Sequence, residues 1–158
     1  MIRNFIKSRL GLGKKTHLHV GDAVPAIDCM DAAGKRWSAA DLRGRNAVIY
    51  FYPADDTPGC TKEACSFRDH HASLGAQILG VSTDGADSHR AFASKFNLPF
   101  PLLADTDGAM SRRFGVLDGN SRRATFVIDR EGRIAAIFDP VNVSGHTEAV
   151  ASALTSLP

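Results

Sequence analysis

A buried strand that runs without pause into a helix-opening turn is the feature that most constrains this chain. Ala47–Tyr52 is an unbroken run of apolar, aromatic and β-branched side chains, the composition of a strand covered on both faces. It leads directly into Pro53-Ala54-Asp55-Asp56-Thr57-Pro58-Gly59-Cys60. With Thr57 at the N-cap, Pro58 falls at the first helical position, where its missing N–H sacrifices no hydrogen bond. Cys60 is then third in the helix. Unpaired amides and the positive end of the helix dipole converge there and favour an anion, which is how a protein places a low-pKa thiol. The plain alternative is a small cysteine filling a gap between helix and strand; the Thr-Pro-Gly lead-in weighs against it.

The flanking sequence alternates between strand and helix patterns. Ile27 and Cys29 alternate with polar neighbours before a turn at Ala33-Gly34. Thr61 to Leu74 reads as a helix, Ala76–Ser82 as a second buried strand, and Ser88–Phe96 as a helix that stops before Pro99. Ala124–Ile128 and Ile134–Phe138 flank Asp129-Arg130-Glu131-Gly132, a tetrad suited to a hairpin turn, and Thr147–Leu154 closes the chain as a short helix. Strands separated by helices, then a hairpin and a last helix, predict an α/β fold: a central mixed sheet with helices on both faces. The 158 residues suit one domain, expected over residues 16–158.

Charge and cysteine content exclude several functions. Residues 1–15 carry five basic residues and no acid, so the remainder has a net charge of −3, which is unsuited to nucleic-acid binding. This basic extension, with Ile2, Phe5, Ile6 and Leu10 on one potential helical face, reads as a flexible tail. No apolar run approaches the roughly 20 residues of a membrane span. Three cysteines are too few for a disulfide-scaffolded secreted domain and point to a reducing, cytoplasmic setting.

Cys65 follows Cys60 by five positions. On an intact helix their Cα atoms would stand about 8.6 Å apart, beyond the roughly 4.4–6.8 Å a disulfide spans. Either Cys65 packs inward, or the helix must unwind before the two sulfurs can meet. The spacing also differs from the Cys-x-x-Cys of dithiol oxidoreductases and from zinc knuckles.

Pro53-x-x-x-Thr57-x-x-Cys60 resembles the active-site pattern of the peroxiredoxins, and Thr57-Pro58-Gly59-Cys60-Thr61-Lys62-Glu63-Ala64-Cys65 resembles their bacterioferritin-comigratory (PrxQ) subgroup. The likeness continues through Gly80-Val81-Ser82-Thr83-Asp84, Leu98-Pro99-Phe100-Pro101-Leu102-Leu103-Ala104-Asp105 and Arg123-Ala124-Thr125-Phe126-Val127-Ile128-Asp129. It covers nearly everything after residue 20. The resemblance implies a thioredoxin-like fold and a thiol-dependent peroxidase. Cys60 would be the peroxidatic nucleophile and Cys65 the resolving cysteine, joined in an intramolecular disulfide. Thr57 would hydrogen-bond the thiolate and the incoming peroxide, Pro53 would shield the pocket, and Arg123 would complete the site; strand alternation sends Arg122 to the opposite face. Thioredoxin or glutaredoxin would restore the thiols, with no metal or organic cofactor. Resolution within one helix favours a monomer.

Acidity alone does not make such a site. Lowering a thiol pKa from about 8.5 to about 6 raises its thiolate fraction at neutral pH roughly thirtyfold. The same shift cuts intrinsic nucleophilicity by about ten- to eighteenfold, so the net gain is a few-fold. Donors that orient the peroxide and take charge from its leaving oxygen must supply the rest.

Other residues read as structural. Cys29 and Trp37 are expected in the core, Asp55 and Asp56 are expected to solvate the loop, and adjacent His70 and His71 lack the spacing of metal ligands. His17, His19, His89 and His146 stand alone. The Gly-Gly-Leu-Gly segment of overoxidation-sensitive relatives is missing from the sequence, so Cys60 is expected to resist sulfinic acid formation. A thioredoxin-like disulfide carrier and a non-enzymatic peroxide sensor or chaperone are the rival functions; only a peroxidase turns over many equivalents of peroxide.

Overall fold

The computed structural model describes residues 15–158. The apolar face expected at Ile2, Phe5, Ile6 and Leu10, and all of the basic extension except Lys15, lie outside the described residues.

The Ala47–Phe51 strand, β3, is the middle of a five-stranded sheet. An antiparallel hairpin, β1 (Asp28–Met30) and β2 (Arg36–Ser38), precedes it. Helix α1 (Pro58–Leu74), β4 (Gln77–Ser82), helix α2 (Ala86–Phe96) and β5 (Leu102–Ala104) follow. A short helix α3 (Ala109–Arg113) and a small ladder, β6 (Leu117–Asp118) with β7 (Asn120–Ser121), lead to β8 (Ala124–Ile128), β9 (Ile134–Phe138) and helix α4 (His146–Thr155). The sheet order is β5-β4-β3-β8-β9: β3, β4 and β5 are parallel, β8 runs antiparallel to β3, and β9 runs antiparallel to β8. This is the mixed α/β sheet expected of a thioredoxin-like chain.

Alternation along the strands sorts the core into two layers. Ala47, Ile49 and Phe51, with Ala124, Phe126 and Ile128, face the hairpin and α3, where Cys29, Trp37, Met110 and Phe114 pack. Val48, Tyr50 and Tyr52, with Val127, face α1, α2 and α4, meeting Cys60, Ala64, Phe67, Phe92, Val150 and Leu154. Tyr50 stacks on Phe67 with ring centroids 4.7 Å apart. Its phenol crosses the neighbouring strand at Gly80, where a Cβ would lie 2.9 Å from Tyr50 Oη and 2.7 Å from the Leu102 side chain; only glycine fits there.

The expected elements are present with small shifts at their ends, and short ones join them. β2, β5, α3 and the β6–β7 ladder are two to five residues long, too brief to show a hydrophobic period. Asp31 organises the first hairpin: Oδ1 accepts from the Ala33 and Lys35 amides, and Oδ2 from Trp37 Nε1 at 2.9 Å. Cys29 and Trp37 are in the core as expected. Burial, with nearby Asp105, Asp107 and Asp28, pushes the Cys29 thiol up to about 12, so it is held protonated and inert.

Candidate active site

Helix α1 begins at the end of the sheet where β3 delivers the chain. Thr57 is the N-cap residue in extended conformation and Pro58 the first helical residue. The Thr61 amide closes the first helical hydrogen bond on the Thr57 carbonyl at 2.8 Å. The Gly59 and Cys60 amides precede that bond and have no helical acceptor. No side chain caps them: the Thr57 hydroxyl donates instead to the Ala54 carbonyl at 2.9 Å. Thr57 therefore makes no hydrogen bond to Cys60 in this structure, and its oxygen keeps lone pairs free to accept a hydrogen bond.

Arg123 lies just ahead of β8. It shares the parity of Thr125 and Val127, which aims it at the α1 face. Its Nη2 donates to Cys60 Sγ at 3.3 Å, and its Nη1 donates to Glu63 Oε1 at 2.9 Å. The guanidinium passes close over Gly59, where a Cβ would meet Nη2 at 3.1 Å. Arg122 points the other way and pairs with Asp139 at 2.7 Å. Solvent reaches the Arg123 side chain, 21% exposed, and hardly reaches Cys60, a residue 1% exposed. Cys65 lies half-buried further along the same unbroken helix, and both cysteines are free. Pro53 opens the loop, and its carbonyl accepts from Asn120 Nδ2 at 3.3 Å, which ties the loop to β7.

Glu63 is the neighbour that sequence reasoning passed over. It is buried on the α1 face that also carries Cys60, Ala64 and Phe67. An acid in the apolar stripe of a helix was the available signal. Burial pushes its carboxyl up to about 7, against the opposing charge and hydrogen bond of Arg123. On Arg123, burial works against the charge, while Cys60 and Glu63 outweigh it and hold the proton more firmly than usual.

Asp55 does not solvate the loop. Its side chain is 4% exposed and accepts from the Tyr52 hydroxyl at 2.6 Å, the Ser88 hydroxyl at 2.8 Å and His89 Nδ1 at 2.7 Å. His89, fully buried in α2, also donates from Nε2 to the Leu103 carbonyl at 2.8 Å. The Asp55 amide donates to Asp84 Oδ2. Burial would raise the Asp55 carboxyl, but hydrogen bonds from His89, Tyr52 and Ser88 outweigh it and hold it below the usual range. Asp55, Asp84 and His89 bring three ligand-type atoms within 4.8 Å of one another, yet all three are engaged in fastening the loop. Asp56 does face solvent, in an ion pair with Lys95. His70 donates from Nδ1 to the Ser66 carbonyl, one turn back on its own helix.

A cysteine under an arginine at an uncapped helix start is a site for attack on a small polar oxidant. Residues 20–137 match the AhpC/TSA family. The putative peroxiredoxin bcp of Coxiella burnetii is 41% identical, over 87% of this chain and 99% of that protein. The chain belongs to the peroxiredoxins. It is accordingly a thiol-dependent peroxidase. Solved peroxiredoxins share its fold. Peroxidoxin BcpB from Mycobacterium tuberculosis superposes with a TM-score of 0.83 at 32% identity, covering 89% of this peroxiredoxin and 98% of its own chain. The bacterioferritin comigratory protein of Xanthomonas campestris, a protein described for alkyl peroxide reduction, superposes at 0.81 with 34% identity over 89% and 98% of the two chains.

Proposed function

We propose that Cys60 is the peroxidatic residue and Cys65 its resolving partner. The observation that carries this reading is the 3.3 Å hydrogen bond from Arg123 to the Cys60 sulfur at the uncapped start of α1. The Cys60 thiolate attacks the terminal oxygen of hydrogen peroxide or an organic hydroperoxide. The O–O bond breaks, water or an alcohol leaves with a proton, and the sulfur becomes a sulfenic acid. Arg123 and the Gly59 and Cys60 amides are the donors available to the peroxide oxygens, and the Thr57 oxygen has lone pairs to accept a hydrogen bond from the peroxide O–H.

The first turns of α1 then unwind, because five helical residues hold the Cα atoms too far apart for a disulfide. Cys65 attacks the sulfenic sulfur, water leaves, and a Cys60–Cys65 bond forms within one chain. A dithiol protein, thioredoxin or glutaredoxin, reduces it by exchange. Resolution inside a single helix supports a monomer, and the need for a dithiol reductant supports a reducing compartment such as the cytoplasm. Pro53 fits a role shielding the pocket, since it begins the loop that Asp55 fastens.

One equivalent of peroxide, followed by peptide mapping, tests this cycle. The expected product is the Cys60–Cys65 disulfide, with peroxide consumption coupled to thioredoxin oxidation over many turnovers. Cys60→Ser loses activity, and Cys65→Ser accumulates a sulfenic acid or an intermolecular disulfide. An active Cys60→Ser protein overturns the assignment.

A further inference from the structure

Helix α4 contributes two consecutive residues that touch α1 beside the reactive cysteine. His146, buried at its first position, lies with Nε2 2.8 Å from Thr125 Oγ1 and 3.8 Å from Glu63 Oε2. Its ring is held edge to face by Phe67 at 5.8 Å and Phe138 at 5.2 Å. Thr147 meets the Ser66 hydroxyl in a short side-chain contact. Glu63 and Ser66 are three residues apart on α1, so both contacts lie on one face of that helix.

Glu63 Oε2 is one of three buried side-chain polar atoms without a hydrogen-bond partner among the described residues. Its sister oxygen takes the Arg123 hydrogen bond. The carboxylate is thus gripped by Arg123 at one end and faced by His146 at the other. We infer that His146 is a positioning residue that holds Glu63, and through it Arg123, against the Cys60 sulfur, so that the first turn of α4 latches the reactive helix in its wound form.

The inference rests on the proposed Cys60–Cys65 cycle and adds a control to it. Glu63 lies between the two cysteines in sequence, so any unwinding that joins them must withdraw it from His146 and Arg123. The latch therefore acts oppositely on the two steps. It favours sulfur oxidation, which needs the wound site, and it restrains disulfide formation, which needs the unwound one. Burial and the Arg123 charge push His146 down to about 4, so the ring is neutral at neutral pH and acts through packing and hydrogen bonding. The 2.8 Å hydrogen bond between Nε2 and Thr125 Oγ1 fixes the ring, and the same nitrogen packs 3.8 Å from Glu63 Oε2.

Rapid-mixing measurements of sulfenic acid formation and of disulfide formation, on the full chain, read the two steps separately. His146→Leu is expected to slow the first by about tenfold and to speed the second severalfold. His146→Gln, which keeps an N–H donor, is expected to restore both rates to within about threefold of the unmodified protein. A general loss of packing would not drive the rates in opposite directions or yield to that rescue. If His146→Leu does not fold, Thr147→Val decides: it removes the Ser66 contact at nearly constant volume and is expected to speed disulfide formation alone. Rates unchanged within about twofold in the folded variants, or both rates moving the same way, overturn the latch. An unmodified protein that forms no Cys60 sulfenic acid or no Cys60–Cys65 bond overturns the underlying cycle instead, which distinguishes the two failures.

Discussion

Arg123 holds its guanidinium 3.3 Å from the Cys60 sulfur, although 63 residues separate the two along the chain. The antiparallel pairing of β3 with β8, Phe51 opposite Ala124, brings the residue before β8 to the point where β3 gives way to the reactive loop. Side-chain parity then decides that Arg123, and not Arg122, meets the sulfur.

Arg123→Ala is therefore expected to slow oxidation of Cys60 by roughly a hundredfold, the usual loss when a donor to a developing oxyanion is removed. Reduction of a disulfide already formed should proceed at the normal rate. Arg122→Ala breaks the Asp139 pair on the opposite face and should leave the oxidation rate within about twofold. Single-turnover kinetics on the two variants check this, and equal losses would refute the parity argument.

Asp55 fastens the loop that carries Thr57. Asp55→Asn exchanges a charged acceptor for a neutral one against three donors, with an expected cost of about 2–4 kcal/mol. The depressed carboxyl contributes stability above its ordinary pKa of 3.8 that is lost as pH falls through its lower folded value. Urea unfolding should show the variant weaker at neutral pH and the gap closing in acid.

Glu63 and His146 pull the pH dependence of stability in opposite directions. The Glu63 carboxyl rises from 4.5 to about 7 on folding, so the folded state binds that proton more tightly and loses stability as pH rises through this window. His146 falls from 6.5 to about 4, so unfolding takes up a proton and stability is lost as pH falls from 6.5 to 4. Between pH 4.5 and 6.5 the two slopes, each up to about 1.4 kcal/mol per pH unit, oppose one another. Arg123 acts on both Glu63 and His146, but it stays charged throughout this range. Glu63→Gln should weaken toward acid and His146→Gln toward neutrality, with the unmodified protein flatter than either. Denaturant unfolding at pH 5, 6 and 7 checks this; three parallel curves would refute it.

Tyr50 carries a buried hydroxyl without a partner. Tyr50→Phe is expected to be neutral or to stabilise by up to about 1 kcal/mol, since no hydrogen bond is lost and an unsatisfied group is removed. Gly80→Ala should destabilise by about 1–3 kcal/mol, because its Cβ meets both the phenol and Leu102. Combining the two should recover part of the loss, the Leu102 contact remaining; thermal unfolding of the set is the measurement.

Local pattern determined much of this protein. The apolar run Ala47–Tyr52, the Thr57-Pro58 helix start and the position of Cys60 in the first turn follow from side-chain volume, backbone freedom and unpaired amides, all properties of short segments. The hairpin about Asp129 and the parity of Arg123 follow likewise. The partners of Glu63, His89 and His146 were decided only by tertiary structure. Each of the three sits on the buried face of its helix, beside Phe67, Phe92 or Val150, and periodicity marks that face without saying what covers it. Asp55 looks like a solvated loop acid until α2 is laid across it. A polar group's role once buried depends on which donor or charge the fold brings within about 3 Å, and the neighbours of Glu63, His89 and His146 come from elements 14 to 60 residues away.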